Sequence, residues 1–333
     1  MESTETSDPA IPPSLRALLR GIVDYAGLFP PADLSLRRAL QNYASYREES
    51  EAWMLSRFVL PVRRLPDLSP FHRYFSTGDP YRFSVLGTGG EDPDSFLSAL
   101  GRDLEVIDSF DEEYGGQAIV DVMEVPLPSS LTGSPEPTLR SFFENVQRQV
   151  VADGTAQLDF FFEVSAADGI ERLRPLCAAV ADHNSRQAVP ARSTVGLKIR
   201  CGGAEPSDIP SVEQVAALIV ASRDAGTSFK ATAGLHHPLR HYDDGFDAEM
   251  HGFLNIFAAA AVASEHALDA DELIPILRDE DASNFQFLKE RFAWRNASVP
   301  LDSIRHTRED LALSFGSCSF EEPVDHLRDL DLL

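Results

Sequence analysis

The chain has 333 residues, of which 43% are hydrophobic and 25% charged, and its formal net charge at neutral pH is −24. This composition is typical of a globular protein and excludes wholesale disorder and a coiled coil. A surface this acidic repels phosphate backbones and anionic membranes, so we expect neither nucleic acid nor a membrane as a partner.

The start of the chain lacks both a basic and an apolar segment, so we predict no secretory signal and a cytoplasmic protein. Three cysteines without a CxxC pair suit a reducing compartment. Residues 1–13 are polar and proline-rich, and we predict that they form a disordered leader.

Apolar strand-like runs then alternate with amphipathic helices. Residues 23–32 are punctuated by glycine and proline and are predicted to form a loop. Residues 24–31 carry no recognisable catalytic pattern. They form either an N-terminal flap that closes one end of the barrel or lines a partner's site, or a packing loop. Strands are predicted over residues 57–62, 82–87, 117–125, 158–164, 195–201, 228–233 and 311–315, and helices near residues 14–22, 35–51, 94–110, 138–153, 167–183, 211–224 and 249–266.

Repeated strand–helix units pair in parallel through right-handed crossovers. No GxGxxG follows a strand, so the nucleotide-binding open sheet has no support. We therefore predict an α/β protein of the (β/α)8 TIM-barrel type over residues 14–333, as a single domain. It would carry a helical N-terminal extension over 14–52 and a helical and hairpin decoration over 267–307. The eighth strand is either 252–257 or part of 284–294, and the latter also resembles a small hairpin.

Lysine is rare in this chain and arginine serves most basic positions. Of 29 basic residues only Lys198, Lys230 and Lys289 are lysine, and the first two lie inside apolar strand-like runs. A buried lysine can lose its proton and attack a carbonyl to form a Schiff base, whereas arginine stays charged. The alternative is a non-catalytic barrel-shaped binding protein in which both lysines form buried salt bridges.

Polar residues cluster where the predicted strands end, which is where barrel enzymes hold their catalytic groups. Side chains two residues apart on a strand share a face. The last strand runs through a Gly/Ser turn into a helix, whose free N–H groups favour an anion. The candidate site residues are Asp121, Glu124, Glu163, Lys198, Arg200, Lys230, Thr232, Gly234, His236, His237, Gly316, Ser317 and Ser319.

Five segments around these residues resemble, in the same order, the deoxyribose-phosphate aldolase family and its class I relatives, over roughly residues 117–322. They are Val120-Asp121, Phe162-Glu163, Lys198-Ile-Arg-Cys-Gly202, Lys230-Ala-Thr-Ala-Gly234 and Phe315-Gly-Ser-Cys-Ser319.

The resemblance implies a class I aldolase barrel that needs no cofactor. Lys198 would form the Schiff base, Lys230 would lower its pKa, and Asp121 would shuttle protons, with Glu163 beside them. The anion-binding positions would be Gly234, Gly316 and Ser319.

The chain departs from the family pattern where substrate would bind. Ile199 and Arg200 replace Thr-Ser, Ala233 replaces a glycine, and His236-His237 replace Val-Arg. We therefore expect a lyase acting on a small carbonyl compound, either phosphorylated or carboxylated, whose identity differs from that of the family substrate. The sequence leaves open whether the chain is a homo-oligomer.

A metal-dependent isomerase or hydrolase is the alternative enzyme. His236, His237 and His241, with Glu163 or Asp243, offer ligands for a divalent ion. Pro238 lies between the last two histidines and predicts a loop rather than a helix there. The other hypothesis for these histidines is a solvated loop or contact with a substrate oxyanion.

Overall fold

The computed structural model describes residues 11–153, 158–164, 170–186, 194–203 and 205–333. Most of the predicted leader 1–13, and the start of the helix predicted from 167, lie outside these residues. Eight parallel strands close into a barrel in chain order, which confirms the (β/α)8 TIM-barrel prediction. They are β1 Val23–Tyr25, β2 Leu55–Pro61, β3 Tyr81–Leu86, β4 Ala118–Pro126, β5 Asp159–Val164, β6 Val195–Arg200, β7 Phe229–Thr232 and β8 Ala312–Ser317.

Helices cover the outside of the barrel. A 3-10 segment, Val62–Tyr74, takes the place of a helix between β2 and β3. Within the described residues, no helix is long and apolar enough to span a bilayer. The helices are α1 Pro13–Leu19, α2 Leu36–Tyr46, α3 Pro93–Tyr114, α4 Glu136–Asp153, α5 Ile170–Ser185, α6 Val212–Ala225, α7 Phe253–His266, α8 Ala270–Leu277, α9 Leu301–Asp310 and α10 Glu321–Asp329.

The eighth strand is β1, which pairs with β2 on one side and β8 on the other. The prediction of a loop at 23–32 was wrong for its first three residues. Both sequence alternatives for the eighth strand were wrong as well. Residues 253–257 begin the buried helix α7, and 285–300 form a separate three-stranded antiparallel sheet, which includes the predicted hairpin.

The register between β3 and β4 shifts at Asp121. Phe83 pairs with Val120 but Ser84 pairs with Val122, so Asp121 is the extra residue of a bulge. Regular alternation would place Asp121 and Glu124 on opposite faces of the strand. The bulge allows both side chains to face the barrel interior.

Arg308 of α9 joins the start of β8 to the end of α1. Its buried guanidinium donates to the backbone carbonyls of Leu18 and Arg20 on one side and of Ala312 and Leu313 on the other. Strand β1 follows α1 in the chain and pairs with β8. These hydrogen bonds therefore help to hold the first and last strands together and so to close the barrel.

We expect Arg308→Met to lower the free energy of unfolding by about 3 kcal/mol or more, since buried carbonyls would lose their donors. The matched control is Arg305→Met on the same helix. Arg305 is exposed and pairs with the exposed Asp302 in its own helix, so its loss should cost less than about 1 kcal/mol. Urea unfolding of both variants measures the difference, and equal effects would contradict the role assigned to Arg308.

Candidate active site

Glu124 holds the two strand lysines together inside the barrel. Its carboxylate lies 2.7 Å from Lys198 Nζ through Oε2 and 2.5 Å from Lys230 Nζ through Oε1. Ser84 Oγ donates a hydrogen bond to Oε1 at 2.7 Å, the third contact of this carboxylate. All four side chains are buried. The lysines are register partners on β6 and β7, so two cations on neighbouring strands share one anion.

Asp24 of β1 is the second buried carboxylate that binds Lys230. Its Oδ2 lies 2.8 Å from Lys230 Nζ and accepts the hydroxyl of Ser314 at 2.6 Å. Its Oδ1 accepts the backbone N–H of Arg57. Asp24 is fully buried, so both carboxylates that hold Lys230 are shielded from water.

Glu163 pairs with both Lys198 and Arg200, and so links the buried Lys198 to a side chain that is exposed to solvent. Glu163 Oε2 is 3.1 Å from Lys198 Nζ, and its Oε1 is 3.5 Å from Arg200 Nη1. The Arg200 side chain is 51% exposed and that of Glu163 is 22% exposed, against 8% for Lys198. Lys198 therefore has one buried partner and one that reaches solvent at the carboxyl end of the barrel.

Charge pairing controls the protonation of this network. Burial alone would raise the pKa of Glu124, but the ammonium groups of Lys198 and Lys230 hold it well below its usual range. Burial alone would lower the pKa of Lys198, but Glu124 and Glu163 raise it above its usual value. The lowered pKa expected for Lys198 was therefore wrong for this arrangement: the sequence argument counted the neighbouring cation but not the carboxylate between the two.

Asp121, the predicted proton shuttle, lies elsewhere in the barrel. It accepts two bonds from Arg57, at 2.7 and 2.9 Å, and further bonds from Arg82. These guanidinium groups hold the pKa of Asp121 below its usual value against the raising effect of its burial. Asp121 precedes Glu124 by three residues on a parallel strand, so it lies nearer the amino end of the barrel. The structure does not bring it to the lysines.

The two predicted anion-binding glycines lie where a side chain would meet close neighbours, backbone at Gly234 and the Thr232 side chain at Gly316. Gly234 has a φ of +70°, and a Cβ there would meet Cys201 O at 3.0 Å and Gly202 at 3.1 Å. A Cβ on Gly316 would lie 2.8 Å from Thr232 Oγ1. These glycines, with Thr232, shape the wall where β6, β7 and β8 end.

The turn after β8 is less suited to an anion than the sequence indicated. Ser319 Oγ accepts the backbone N–H of Glu322 and Ser317 Oγ that of Ser319, so both hydroxyls serve the turn itself. Glu321 and Glu322 lie in the first turn of α10. Their carboxylates interact favourably with the positive N-terminal end of the helix dipole and would repel a further anion there.

The histidines do not form the predicted metal set. The ring of His237 stacks on His326 at 3.8 Å and faces His241 at 3.9 Å between centroids. Burial, with the charges of the neighbouring histidines, lowers the pKa of His237 to about 4. His236 turns instead to Glu322, with Nδ1 2.7 Å from Oε2.

The sequence analysis placed Lys198, Lys230, Glu163 and Arg200 in one candidate site, and the structure brings them together. It named Glu124 but gave it no role. It missed Asp24, although a charged residue inside an apolar run was the signal used for the lysines. Serines give no such signal. The residues around the candidate site that it missed are Asp24, Arg57, Ser84, Ser314 and His326.

No family model matches the chain, and no curated protein matches it. A solved structure from Toxoplasma gondii ME49, provisionally identified as a deoxyribose-phosphate aldolase, is 14% identical with a TM-score of 0.36, covering 96% of this chain and 93% of its own. The catalytic domain of CcCel6A, complexed with p-nitrophenyl β-D-cellotrioside, is 14% identical with a TM-score of 0.36, covering 66% and 73%. An amidohydrolase from Burkholderia ambifaria with bound zinc is 14% identical with a TM-score of 0.28, covering 70% and 57%. Likenesses of this size assign no activity to the chain.

We expect Glu124→Gln to lower the free energy of unfolding at neutral pH by about 3–5 kcal/mol, because two buried cations lose their shared partner. The charge of Glu124 stabilises the fold above the pKa of about 4.3 of an unfolded glutamate, and this contribution disappears as the pH falls through the lower folded-state value. The difference between wild type and variant should therefore narrow below about pH 4.

Urea unfolding across acidic and neutral pH measures this difference. Glu213→Gln is the control, because Glu213 makes an exposed pair with Arg278 and should matter by less than about 1 kcal/mol. A difference that stays constant as the pH falls would show that the Glu124 charge is not the stabilising element.

Proposed function

We propose that this chain is a lyase of the class I aldolase type, in which Lys198 forms a Schiff base with a small carbonyl substrate. The supporting observation is the pair of lysines on adjacent strands, bridged by one buried carboxylate at the carboxyl half of a closed barrel. Barrel enzymes hold their reacting groups at this end. The two lysines differ in their access to solvent, since only Lys198 has a partner that reaches the mouth.

Lys198 is the group proposed to react. Its neutral amine attacks the carbonyl carbon, and the carbonyl oxygen leaves as water. The resulting iminium accepts the electron pair of the bond between the α and β carbons as the β-hydroxyl loses its proton, which releases an aldehyde and leaves an enamine. Protonation of the enamine at the α carbon gives an iminium again, and addition of water to it releases the second carbonyl product and restores Lys198.

Glu163 is the proton carrier that we propose in place of Asp121. Its Oε2 is within hydrogen-bond distance of Lys198 Nζ, and its partial exposure allows proton exchange with solvent. Lys230 is a positioning residue, because it fixes Glu124 from the far side. Arg200, at the mouth, is suited to a carboxylate or phosphate of the substrate. An anion bound there would compete with Glu163 for the guanidinium.

The buried ion pairs also favour the second candidate, a non-catalytic barrel that binds a small molecule. In that case Lys198 and Lys230 act only as counter-ions. The two functions differ in whether Lys198 can be captured as an imine.

We expect borohydride reduction in the presence of small aldehydes and ketones to add mass at Lys198, and Lys198→Arg to abolish that addition. Only the neutral amine attacks, so the rate of adduct formation should rise about tenfold per pH unit below the raised pKa of Lys198. Peptide mass spectrometry locates the adduct. The exposed Lys289 is an internal control for non-specific reaction, and labelling confined to Lys289 across a broad carbonyl panel would leave only the binding function.

Glu163→Gln separates imine formation from turnover. Loss of this carboxylate should lower the pKa of Lys198 and speed trapping at neutral pH on the order of tenfold. Cleavage of an aldol substrate found in a retro-aldol screen should slow, because the proton carrier is gone. Asp121→Asn is the control and should leave the trapping rate unchanged. Faster turnover in Glu163→Gln, or lost trapping in Asp121→Asn, would reverse the roles assigned to the two carboxylates.

A further inference from the structure

Three potential metal ligands converge at the carboxyl ends of β7 and β8. His236 lies in the loop after β7, Cys318 directly follows β8, and Glu322 is in the first turn of α10. One ligand atom from each lies within 4.8 Å of the other two. We propose that these three side chains bind one zinc ion, with water in the fourth position.

The donor set is one that zinc uses in proteins: an imidazole nitrogen, a thiolate sulfur and a carboxylate oxygen. Bonds of about 2.0–2.3 Å in a tetrahedron put neighbouring ligand atoms roughly 3.3–3.8 Å apart. His236 Nδ1 and Glu322 Oε2 are 2.7 Å apart and joined by a hydrogen bond. Zinc would take the place of that proton after a shift of about one ångström.

Each proposed ligand is held by a further contact. His326 Nδ1 is 3.1 Å from the backbone oxygen of His236. A backbone hydrogen bond from Ala32 reaches the Cys318 thiol. Ser319 Oγ accepts the N–H of Glu322 and so fixes the first turn of α10. The first and third contacts fix the backbone at His236 and Glu322, and the second reaches the ligand atom of Cys318 itself, so the reorganisation that binding requires is reduced.

Charge and access also fit a cation. Cys318 is 8% exposed, while the side chains of His236 and Glu322 are 28% and 53% exposed. The set therefore runs from the protein interior to solvent, so an ion can reach it from solvent. Zinc displaces the proton of the Cys318 thiol and the proton shared by His236 and Glu322, and both are released to solvent. The thiolate and the carboxylate then balance the charge of the ion.

The test uses the full chain, stripped with a chelator and titrated with cobalt(II), which occupies zinc sites and absorbs light. A thiolate ligand gives a charge-transfer band in the near ultraviolet, and four-coordination gives intense visible bands. We expect saturation at one equivalent and loss of the signal when zinc is added. Cys318→Ser should lose the charge-transfer band, and His236→Ala and Glu322→Gln should weaken cobalt binding at least about tenfold.

Cys177→Ser is the matched control, because Cys177 is a buried thiol in α5, remote in sequence from the proposed set. It should titrate like the wild type. Absence of a charge-transfer band in excess cobalt, or its persistence in Cys318→Ser, would overturn the proposal. If His236→Ala does not fold, the Cys318 and Glu322 variants decide. Borohydride trapping of the zinc-free protein tests Lys198 separately, so the two proposals can fail independently.

Discussion

The carboxylate of Glu124 is the contact on which the centre of the barrel depends. Lys198 and Lys230 are direct register partners, so without an anion between them both could not stay protonated in a buried layer. Glu124 and Asp24 together link β4, β6 and β7 to β1. A three-residue strand has few ladder bonds of its own, and its buried aspartate therefore contributes strongly to holding β1 in place.

Seven of the eight barrel strands could be predicted from sequence because each contains enough apolar residues to show a pattern. The β1 strand could not, since three residues followed by glycine and prolines resemble a loop. The helix predicted near residues 249–266 is confirmed as α7 over Phe253–His266, but the sequence also left residues 252–257 open as a strand. Its first eleven residues are all buried, so it lacks the polar face by which an amphipathic helix differs from a buried strand.

The parts of the candidate site that involve rare residue types could be predicted from the sequence. The parts that depend on local strand geometry could not. Lysines inside apolar runs stand out in an arginine-rich chain. Arg200 follows from the alternation of faces along its strand, and Glu163 from its place near the end of a predicted strand and from the family resemblance. Asp121 was assigned a catalytic role because the Val120-Asp121 segment resembles the family strand that carries a proton-shuttling aspartate. The bulge at that residue, which no sequence pattern announces, gives the position beside the lysines to Glu124 instead.

Retention of lysine at 198 and 230 has a structural explanation as well as a chemical one. Each ammonium accommodates carboxylates on two sides as a compact charge, which a planar guanidinium cannot reproduce in the same space. Scarcity of lysine therefore does not by itself separate an enzyme from a binding protein. The asymmetry of the pair is more informative: both partners of Lys230 are buried, whereas Lys198 also pairs with Glu163, whose side chain is 22% exposed. Lys198 therefore lies beside a carboxylate in contact with solvent and Lys230 does not, and the proposed imine chemistry depends on this difference.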